Sequence, residues 1–115
     1  MNQPTLDGLR VVVTGGLGAL GRSVGRVLTE RGARVTLLDR ATASAVDGIA
    51  AVLGAVDLSD HGSTVRAIGA AADGMGGIDG LVNIAGGFSW EKIETGSIET
   101  WDRLYAMNQI GRAHV

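Results

Sequence analysis

The chain has 115 residues, of which 45% are hydrophobic and 19% are charged, and these values are typical of a single folded domain. The formal net charge of -2 argues against a nucleic-acid-binding surface, and no apolar run is long enough to span a bilayer. The absence of cysteine excludes disulfides, thiolate catalysis and zinc–thiolate sites. We therefore expect a cytoplasmic protein that binds neither nucleic acid nor membrane.

Strand and helix patterns alternate along the chain. Short apolar runs predict strands at Leu9–Thr14, Arg34–Asp39, Ala51–Val56 and Leu81–Ala85. Apolar residues at helical spacing predict three helices. The first contains Leu20, Val24, Val27 and Leu28, and the second contains Val65, Ile68, Ala72 and Met75. The third begins at Ser97 and has Trp101, Leu104, Tyr105 and Asn108 on one face. The alanine-rich segment 41–50 fits either a short helix or a loop. This order predicts an α/β fold, a Rossmann-type doubly wound parallel sheet of about four strands.

A glycine-rich loop connects the first predicted strand to the first predicted helix. Gly16, Gly18 and Gly21 fit the pattern G-x-G-x-x-G. One glycine permits the tight turn, another lets the backbone approach a pyrophosphate, and the last lets the helix pack on the strand. Free N–H groups at the helix start then bind the phosphates. The loop therefore predicts a dinucleotide-binding site.

The acidic residue that such a site needs is Asp39, at the end of the second predicted strand. A carboxylate there accepts hydrogen bonds from both hydroxyls of the adenosine ribose and repels a 2′-phosphate. It therefore favours NAD, with NADP as the second choice. The adjacent Arg40 works against this preference, because its charge partly neutralises the acid.

A nucleoside triphosphatase is a weaker alternative. Residues 16–23 also spell G-x-x-x-x-G-R-S, one residue away from a P-loop. That motif requires a lysine to reach the terminal phosphates, and Arg22 stands in its place.

The chain resembles the short-chain dehydrogenase/reductases from Leu6 to Asn108, over the N-terminal, cofactor-binding half of such an enzyme. Thr14-Gly15-x-x-Gly18-x-x-Gly21 is similar to the glycine motif of this family, although Ala19 replaces the middle glycine of its common form. The Gly18 spacing resembles that of the extended branch or of ketoreductase domains. Asp57-Leu58 resembles the pair that touches the adenine ring, and Asn83-Ile84-Ala85-Gly86 resembles N-N-A-G.

The resemblance implies a set of cofactor-binding residues. They are Gly15, Gly18, Leu20, Gly21, Asp39, Asp57, Leu58, Asn83, Ala85 and Gly86. Two of them also have simpler interpretations, since Asp57 could cap the helix that begins near His61 and Asn83 could bridge neighbouring strands. No metal site is expected, because the two histidines are far apart in the sequence.

The catalytic residues of the family are largely missing from this chain. Asn108 resembles the asparagine of the catalytic tetrad, which in the family holds a water of the proton relay, but the serine and the Tyr-x-x-x-Lys pair are absent. Tyr105 is the only tyrosine and is followed four residues later by Gln109, and Lys92 is the only lysine. We therefore interpret Tyr105 as a packing residue.

The resemblance implies a function for the intact parent. It would transfer hydride between NAD and a small-molecule alcohol or carbonyl substrate, and it would form a homo-oligomer. The alternative is a non-catalytic dinucleotide-binding or sensing module.

The last residues of the chain predict a boundary between native sequence and a non-native tail. Residues 110–115 read Ile-Gly-Arg-Ala-His-Val, which is what a common sequencing adapter encodes, and Gln109 fits the adapter bases before them. We therefore interpret residues 1–108 as the N-terminal part of one NAD(P)-binding domain and residues 109–115 as a non-native, adapter-derived tail.

Overall fold

A computed structural model describes residues 5–87, 91, 92 and 94–110 of the chain. Residues 111–115 of the proposed tail lie outside the described residues. The elements in chain order are β1 (Arg10–Thr14), α1 (Ala19–Glu30), β2 (Arg34–Leu38), β3 (Ala51–Leu53), α2 (His61–Met75), β4 (Gly80–Asn83) and α3 (Ile98–Tyr105). A π-helical turn, Ala106–Ile110, continues α3. Segment 41–50 contains neither helix nor strand.

The four strands form one parallel sheet in the order β3-β2-β1-β4, which confirms the predicted doubly wound fold. Val12 at the centre of β1 pairs with Thr36 of β2 on one side and with Leu81 of β4 on the other. β4 therefore lies at the edge of the described sheet. The order reverses between β1 and β4, so the crevice above these two strands is the place where this fold binds ligands.

Both faces of the sheet are covered by apolar residues. On one face α2 contributes Ala67, Ala71 and Met75 to a core with Val12, Leu38 and Val56. On the other, Val24 and Leu28 of α1 pack against a core formed by Val11, Val13, Ala33, Val35 and Leu37. The two helices thus hold the carboxyl ends of the strands in a fixed arrangement.

The helix faces differ from those predicted. Leu20 and Val27 of α1 are 63% and 43% exposed, and the residues of α1 that are buried are Gly21 and Gly25. Near the start of α2, Thr64 is buried and Val65 is 53% exposed. The Thr64 hydroxyl can be buried because it donates to the carbonyls of Leu58 and Asp60. The predicted stripes were therefore wrong at these positions, although the helices were predicted correctly.

All four strands are shorter than predicted, and β3 and β4 each end two or more residues before the predicted end. β3 ends at Leu53 because Gly54 is followed by Ala55, whose φ of 55° lies in the left-handed region and cannot continue an extended strand. β4 ends at Asn83 because the N–H groups of Ile84 and Ala85 donate to the Thr14 hydroxyl.

Tyr105 is 58% exposed, so its interpretation as a packing residue was wrong. It belongs to an exposed stripe on α3 with Ile98 and Trp101, each of which is 75% exposed. No helix in the part of the chain that the structure describes is long and apolar enough to cross a membrane.

Candidate functional site

A cavity of about 370 Å³ opens at the carboxyl ends of the strands, which is a typical volume for a small-molecule site. Its lining comes from the glycine loop, from the ends of β2 and β4, from the segment after β3 and from the π-helical turn. The lining residues are Gly15, Gly18, Ala19, Leu20, Gly21, Leu38, Asp39, Arg40, Val56, Asp57, Leu58, Ser59, Ile84, Ala85, Gly86 and Met107. The cavity thus brings together all the predicted cofactor-binding residues except Asn83.

The glycine loop leaves no room for a side chain at Gly15, Gly16 or Gly21, and a Cβ on Gly16 would lie 2.5 Å from the Cβ of Leu37. Gly15 has a φ of 67°, and a Cβ there would lie 2.9 Å from the Ala85 nitrogen. A Cβ on Gly21 would collide with the Gly15 carbonyl oxygen. Gly18 is different, because a Cβ there would meet no atom closer than the Gly15 carbonyl oxygen at 3.5 Å. These three glycines are therefore required for the packing of the loop, whereas the absence of a side chain at Gly18 leaves space in the cavity.

The start of α1 presents unpaired N–H groups to this cavity. The N–H groups of residues 16–18 donate to Leu38, Asp39 and Gly15 and are consumed by the protein. Those of residues 19–21 donate to nothing within the described residues, and no side chain caps the helix at Gly18. Free donors at the positive end of a helix dipole favour an anion such as a phosphate.

Thr14 fastens the end of β4 to the end of β1. Its hydroxyl oxygen is fully buried and accepts hydrogen bonds from the N–H groups of Ile84 at 3.1 Å and Ala85 at 3.2 Å. It also donates to Oδ1 of Asn83 at 3.3 Å. Asn83 therefore supports the cavity wall through Thr14, as its bridging interpretation predicted, and does not line the cavity itself.

Asp39 stands at the end of β2 with its carboxylate held by backbone. Oδ2 accepts from the Leu17 N–H at 2.8 Å, and Oδ1 accepts from the Ala41 N–H at 2.9 Å. Each oxygen keeps a second acceptor position. The carboxylate is therefore fixed beside the glycine loop and can still accept hydrogen bonds in the cavity.

Asp57 does not cap α2. The N-cap is Asp60, whose Oδ2 accepts from the Ser63 N–H at 3.0 Å. Oδ1 of Asp57 instead accepts from the hydroxyl and the N–H of Ser59. The Ser59 hydroxyl is the largest cause that lowers the pKa of Asp57, and the Arg40 charge also lowers it. Asp57 is thus an ionised carboxylate at one end of the cavity.

Asn108 joins the π-helical turn to the loop after β4. Its Oδ1 accepts from the Gly87 N–H at 3.1 Å, and its Nδ2 donates to the carbonyls of Gly87 at 3.0 Å and Leu104 at 2.9 Å. A Cβ on Gly86 would collide with Oδ1 of Asn108, so the two segments are in close contact. The side-chain amide is therefore committed to holding the backbone, next to the cavity-lining Met107.

Arg22 does not occupy the position of a P-loop lysine. Its Nε donates to the Leu17 carbonyl at 2.9 Å, and the residue does not line the cavity. Within the residues that the structure describes, no group of three or more histidine, aspartate or glutamate residues could hold a metal ion.

Several residues that line the cavity were not predicted from the sequence. Ser59 and Met107 have no motif of their own, and Val56 and Ile84 were considered only as strand or motif neighbours. The sequence signal for Ser59 was its position two residues after Asp57, which was predicted to bind the cofactor.

Comparison with known proteins gives the family context of this site. The family model described as short chain dehydrogenase matches residues 10–115. A sorbitol dehydrogenase from Cereibacter sphaeroides is 37% identical over 112 residues, and a D-threitol dehydrogenase from Mycolicibacterium smegmatis is 33% identical over 115 residues. A protein from Xanthobacter autotrophicus named as an inactive 2-(S)-hydroxypropyl-CoM dehydrogenase is 35% identical over 92 residues.

Solved structures share the fold. A short-chain dehydrogenase/reductase from Serratia marcescens superposes with a TM-score of 0.80 at 27% identity, covering 96% of this chain and 52% of that one. A short chain dehydrogenase from Burkholderia cenocepacia in complex with NADP superposes with a TM-score of 0.82 at 24% identity, covering 96% of this chain and 49% of that one.

The chain is shorter than the proteins that it matches. It spans 43% of the sorbitol dehydrogenase and 44% of the D-threitol dehydrogenase, while these alignments cover 92% of the chain itself. The similarity thus extends along almost the whole chain, and over less than half of each relative.

Proposed function

Because the chain belongs to the short-chain dehydrogenase family, we propose that it forms the NAD-binding part of an oxidoreductase that transfers hydride between the cofactor and an alcohol or ketone. The observation that carries this proposal is that residues 19–21, whose N–H groups have no partner among the described residues, line the cavity together with Asp39. The similar sorbitol and D-threitol dehydrogenases are named for polyols, which supports a small secondary alcohol as the substrate class.

The residues present fit a dinucleotide. The N–H groups of residues 19–21 would hold the pyrophosphate, Asp39 would accept hydrogen bonds from the ribose, and Val56 and Leu58 would contact the base. Gly18 leaves the room that the phosphates need, because it has no side chain. When bound, the nicotinamide ring donates or accepts the hydride at its C4 atom.

Asp39 supports NAD over NADP. Its two oxygens are anchored by the N–H groups of Leu17 and Ala41, so the carboxylate cannot turn away to admit a 2′-phosphate without losing these bonds. Arg40 is exposed at the cavity edge and would attract the same phosphate, and it also lies close enough to Asp57 to lower the pKa of that residue. The negative charge of Asp39, which two backbone N–H groups hold in place, is the reason for proposing NAD.

Asn108 would act as a positioning residue in this protein. Both polar atoms of its side chain bind the backbone of Gly87 and Leu104, so it would hold the wall of the cavity in place. The proton-transfer residues of the family have no counterpart in the sequence, where the one tyrosine and the one lysine stand in the wrong order.

A non-catalytic dinucleotide-binding or sensing module is the second candidate. It is favoured by the similarity to a relative that is named as inactive. The two candidate functions differ in whether the protein catalyses a reaction of the bound dinucleotide. Both require binding of the dinucleotide, but only the first predicts that NADH is consumed with a ketone once the proton-transfer residues are supplied.

We also propose a cytoplasmic location and a homo-oligomeric parent, with no nucleic-acid partner. The net charge of -2 supports the last of these, because a nucleic-acid-binding surface is normally basic. Cell fractionation and sedimentation of the parent would test the other two.

The direct test titrates the chain with NADH and NADPH and follows nicotinamide fluorescence. We expect tighter binding of NADH, and we expect Asp39→Ala to reduce the preference by about 1–3 kcal/mol, the range for a hydrogen bond to a charged group. Asp47→Ala, which removes an equal charge from an exposed loop position, is the control and should leave the preference unchanged. Equal affinity for the two dinucleotides in the unmodified chain would contradict the assignment of NAD.

A further inference from the structure

One end of the cavity is formed by the segment that follows β3. If the pyrophosphate lies at the start of α1 and the ribose at Asp39, the base must lie beyond Asp39, where the lining changes to Val56, Asp57 and Leu58. Val56 and Leu58 offer apolar contacts to the faces of a planar ring. Asp57 is the one carboxylate among them, and it therefore decides which hydrogen-bonding groups a base can present there.

The position of Asp57 is fixed at its backbone by the first turn of α2. Its N–H donates to the Ser63 hydroxyl at 3.0 Å, and the Ser63 N–H donates to the Asp60 carboxylate that caps the helix. The backbone of Asp57 is thus tied to the first turn of α2, and Asp60 is the residue that caps the helix. This arrangement leaves the rotation of the Asp57 side chain to be determined by another residue.

That residue is Ser59. Its N–H donates to Oδ1 of Asp57 at 3.0 Å, and its hydroxyl donates to the same oxygen at 2.5 Å. Oδ2 accepts no hydrogen bond from any residue that the structure describes. One oxygen of the carboxylate is therefore saturated by Ser59, and the other is available in a cavity-lining residue.

The ionisation of Asp57 makes this available oxygen selective. The hydroxyl and N–H of Ser59, together with the Arg40 charge, lower the pKa of Asp57, so the carboxylate stays ionised at neutral pH. An ionised carboxylate accepts hydrogen bonds and donates none. It attracts an exocyclic amino group on a purine and repels an exocyclic carbonyl at the same place.

We propose that Ser59 is a positioning residue that orients Asp57 to select dinucleotides whose purine carries a 6-amino group over those that carry a 6-oxo group. The inference rests on the proposed dinucleotide-binding function. Ser59 touches no ligand in this account and acts only through the orientation of Asp57.

The experiment compares two probes on the full chain. NADH carries a 6-amino group and an unprotonated N1, whereas reduced nicotinamide hypoxanthine dinucleotide carries a 6-carbonyl group and a proton on N1. Binding of both is followed by nicotinamide fluorescence. Ser59→Ala should weaken NADH binding by about 3- to 10-fold, the effect of a charge-assisted hydrogen bond partly lost, and should change binding of the hypoxanthine analogue less than about 2-fold. Ser59→Thr keeps the hydroxyl and should restore the parent ratio of the two affinities.

A purely structural role of Ser59 has a different signature. It would weaken both probes by the same factor, and that result would overturn the proposal. So would a Ser59→Thr variant that behaves like Ser59→Ala. Ser23→Ala, at an exposed position of α1 outside the cavity, is the matched control and should leave both affinities at the parent value.

Failure of the proposed function is distinguishable from failure of this inference. If the unmodified chain binds neither probe, the dinucleotide-binding function itself is contradicted. If it binds NADH and the ratio of the two affinities does not change in Ser59→Ala, the function stands and the role of Ser59 is contradicted.

Discussion

The Leu17 N–H donates a hydrogen bond of 2.8 Å to Oδ2 of Asp39, and this bond joins the glycine loop to the end of β2. The second oxygen of Asp39 accepts from Ala41, so one carboxylate holds the loop on one side and the segment after β2 on the other. The acid expected to read the ribose is therefore also a structural part of the phosphate-binding loop. A substitution at Asp39 is expected to change both cofactor preference and the order of the loop.

Two buried threonines are expected to respond in opposite ways to substitution by valine. The Thr36 hydroxyl is buried and has no hydrogen-bond partner among the residues that the structure describes, so Thr36→Val removes an unsatisfied group and should raise the free energy of unfolding by about 1 kcal/mol. Thr14→Val should lower it by about 1–3 kcal/mol, because the N–H groups of Ile84 and Ala85 lose their acceptor. Urea unfolding of both variants measures the difference. Equal losses in both would contradict this account of the two hydroxyls.

Ala55 is expected to be better replaced by glycine. Its φ of 55° lies in the left-handed region, which costs a residue with a Cβ about 1–2 kcal/mol, whereas the added chain entropy of glycine costs about 0.5–1 kcal/mol. Ala55→Gly should therefore stabilise the chain by about 0.5–1 kcal/mol. Ala70→Gly, at an exposed position inside α2, is the control and should destabilise it by about 1 kcal/mol. Thermal unfolding that shows the same sign for both would refute the argument.

The strands and the site motifs were predictable because their signals are local. An apolar run next to a glycine-rich turn determines β1 and its loop, and the end of β2 then places Asp39. The packing faces of the helices were not predictable in the same way. Hydrophobicity favoured Leu20 and Val65 as inward residues, but α1 approaches the sheet so closely that Gly21 and Gly25 form its buried face. Ser59 was missed because its role depends on a contact with Asp57 and on no pattern of its own.

The ion pair between Arg10 and Asp79 should make the free energy of unfolding depend on pH in the acidic range. Hydrogen bonds from Arg10 lower the pKa of Asp79 to about 2, below its value of about 3.9 in an unfolded chain. The folded state therefore gains from ionised Asp79 above about pH 4, and this gain is lost as the pH falls through about 2. Asp79→Asn should lower the free energy of unfolding at pH 7 and have a progressively smaller effect between about pH 4 and pH 2.

The control for this prediction is Asp73→Asn, at an exposed position of α2. It removes the same charge without removing the contact to Arg10. An Asp79→Asn effect that is constant from pH 7 to pH 2, or that equals the effect of Asp73→Asn, would contradict the assigned role of the pair.

The outer edge of β4 is expected to cause self-association. β4 pairs with β1 and with no other strand in the described part of the sheet, and its residue Leu81 is 41% exposed. An uncharged strand edge is a template for pairing with another chain. Leu81→Lys should shift the sedimentation profile of the chain towards the monomer, whereas Val65→Lys, on the exposed side of α2, should not. Identical profiles for both variants would count against the edge as the contact.

The central claim, that the cavity at the start of α1 binds a nicotinamide dinucleotide, is tested most directly by an NADH titration of Gly18→Ala. Gly18 has an ordinary φ of -74°, and among the described residues the nearest atom to a Cβ there would be the Gly15 carbonyl oxygen at 3.5 Å, so the fold should tolerate alanine with a stability loss of at most about 1 kcal/mol. Gly69→Ala, in α2 away from the cavity, is the control for an added methyl group. We expect Gly18→Ala to weaken NADH binding about tenfold or more, and we expect Gly69→Ala to bind NADH like the unmodified chain. A folded Gly18→Ala variant that binds NADH as tightly as the unmodified chain would contradict the claim.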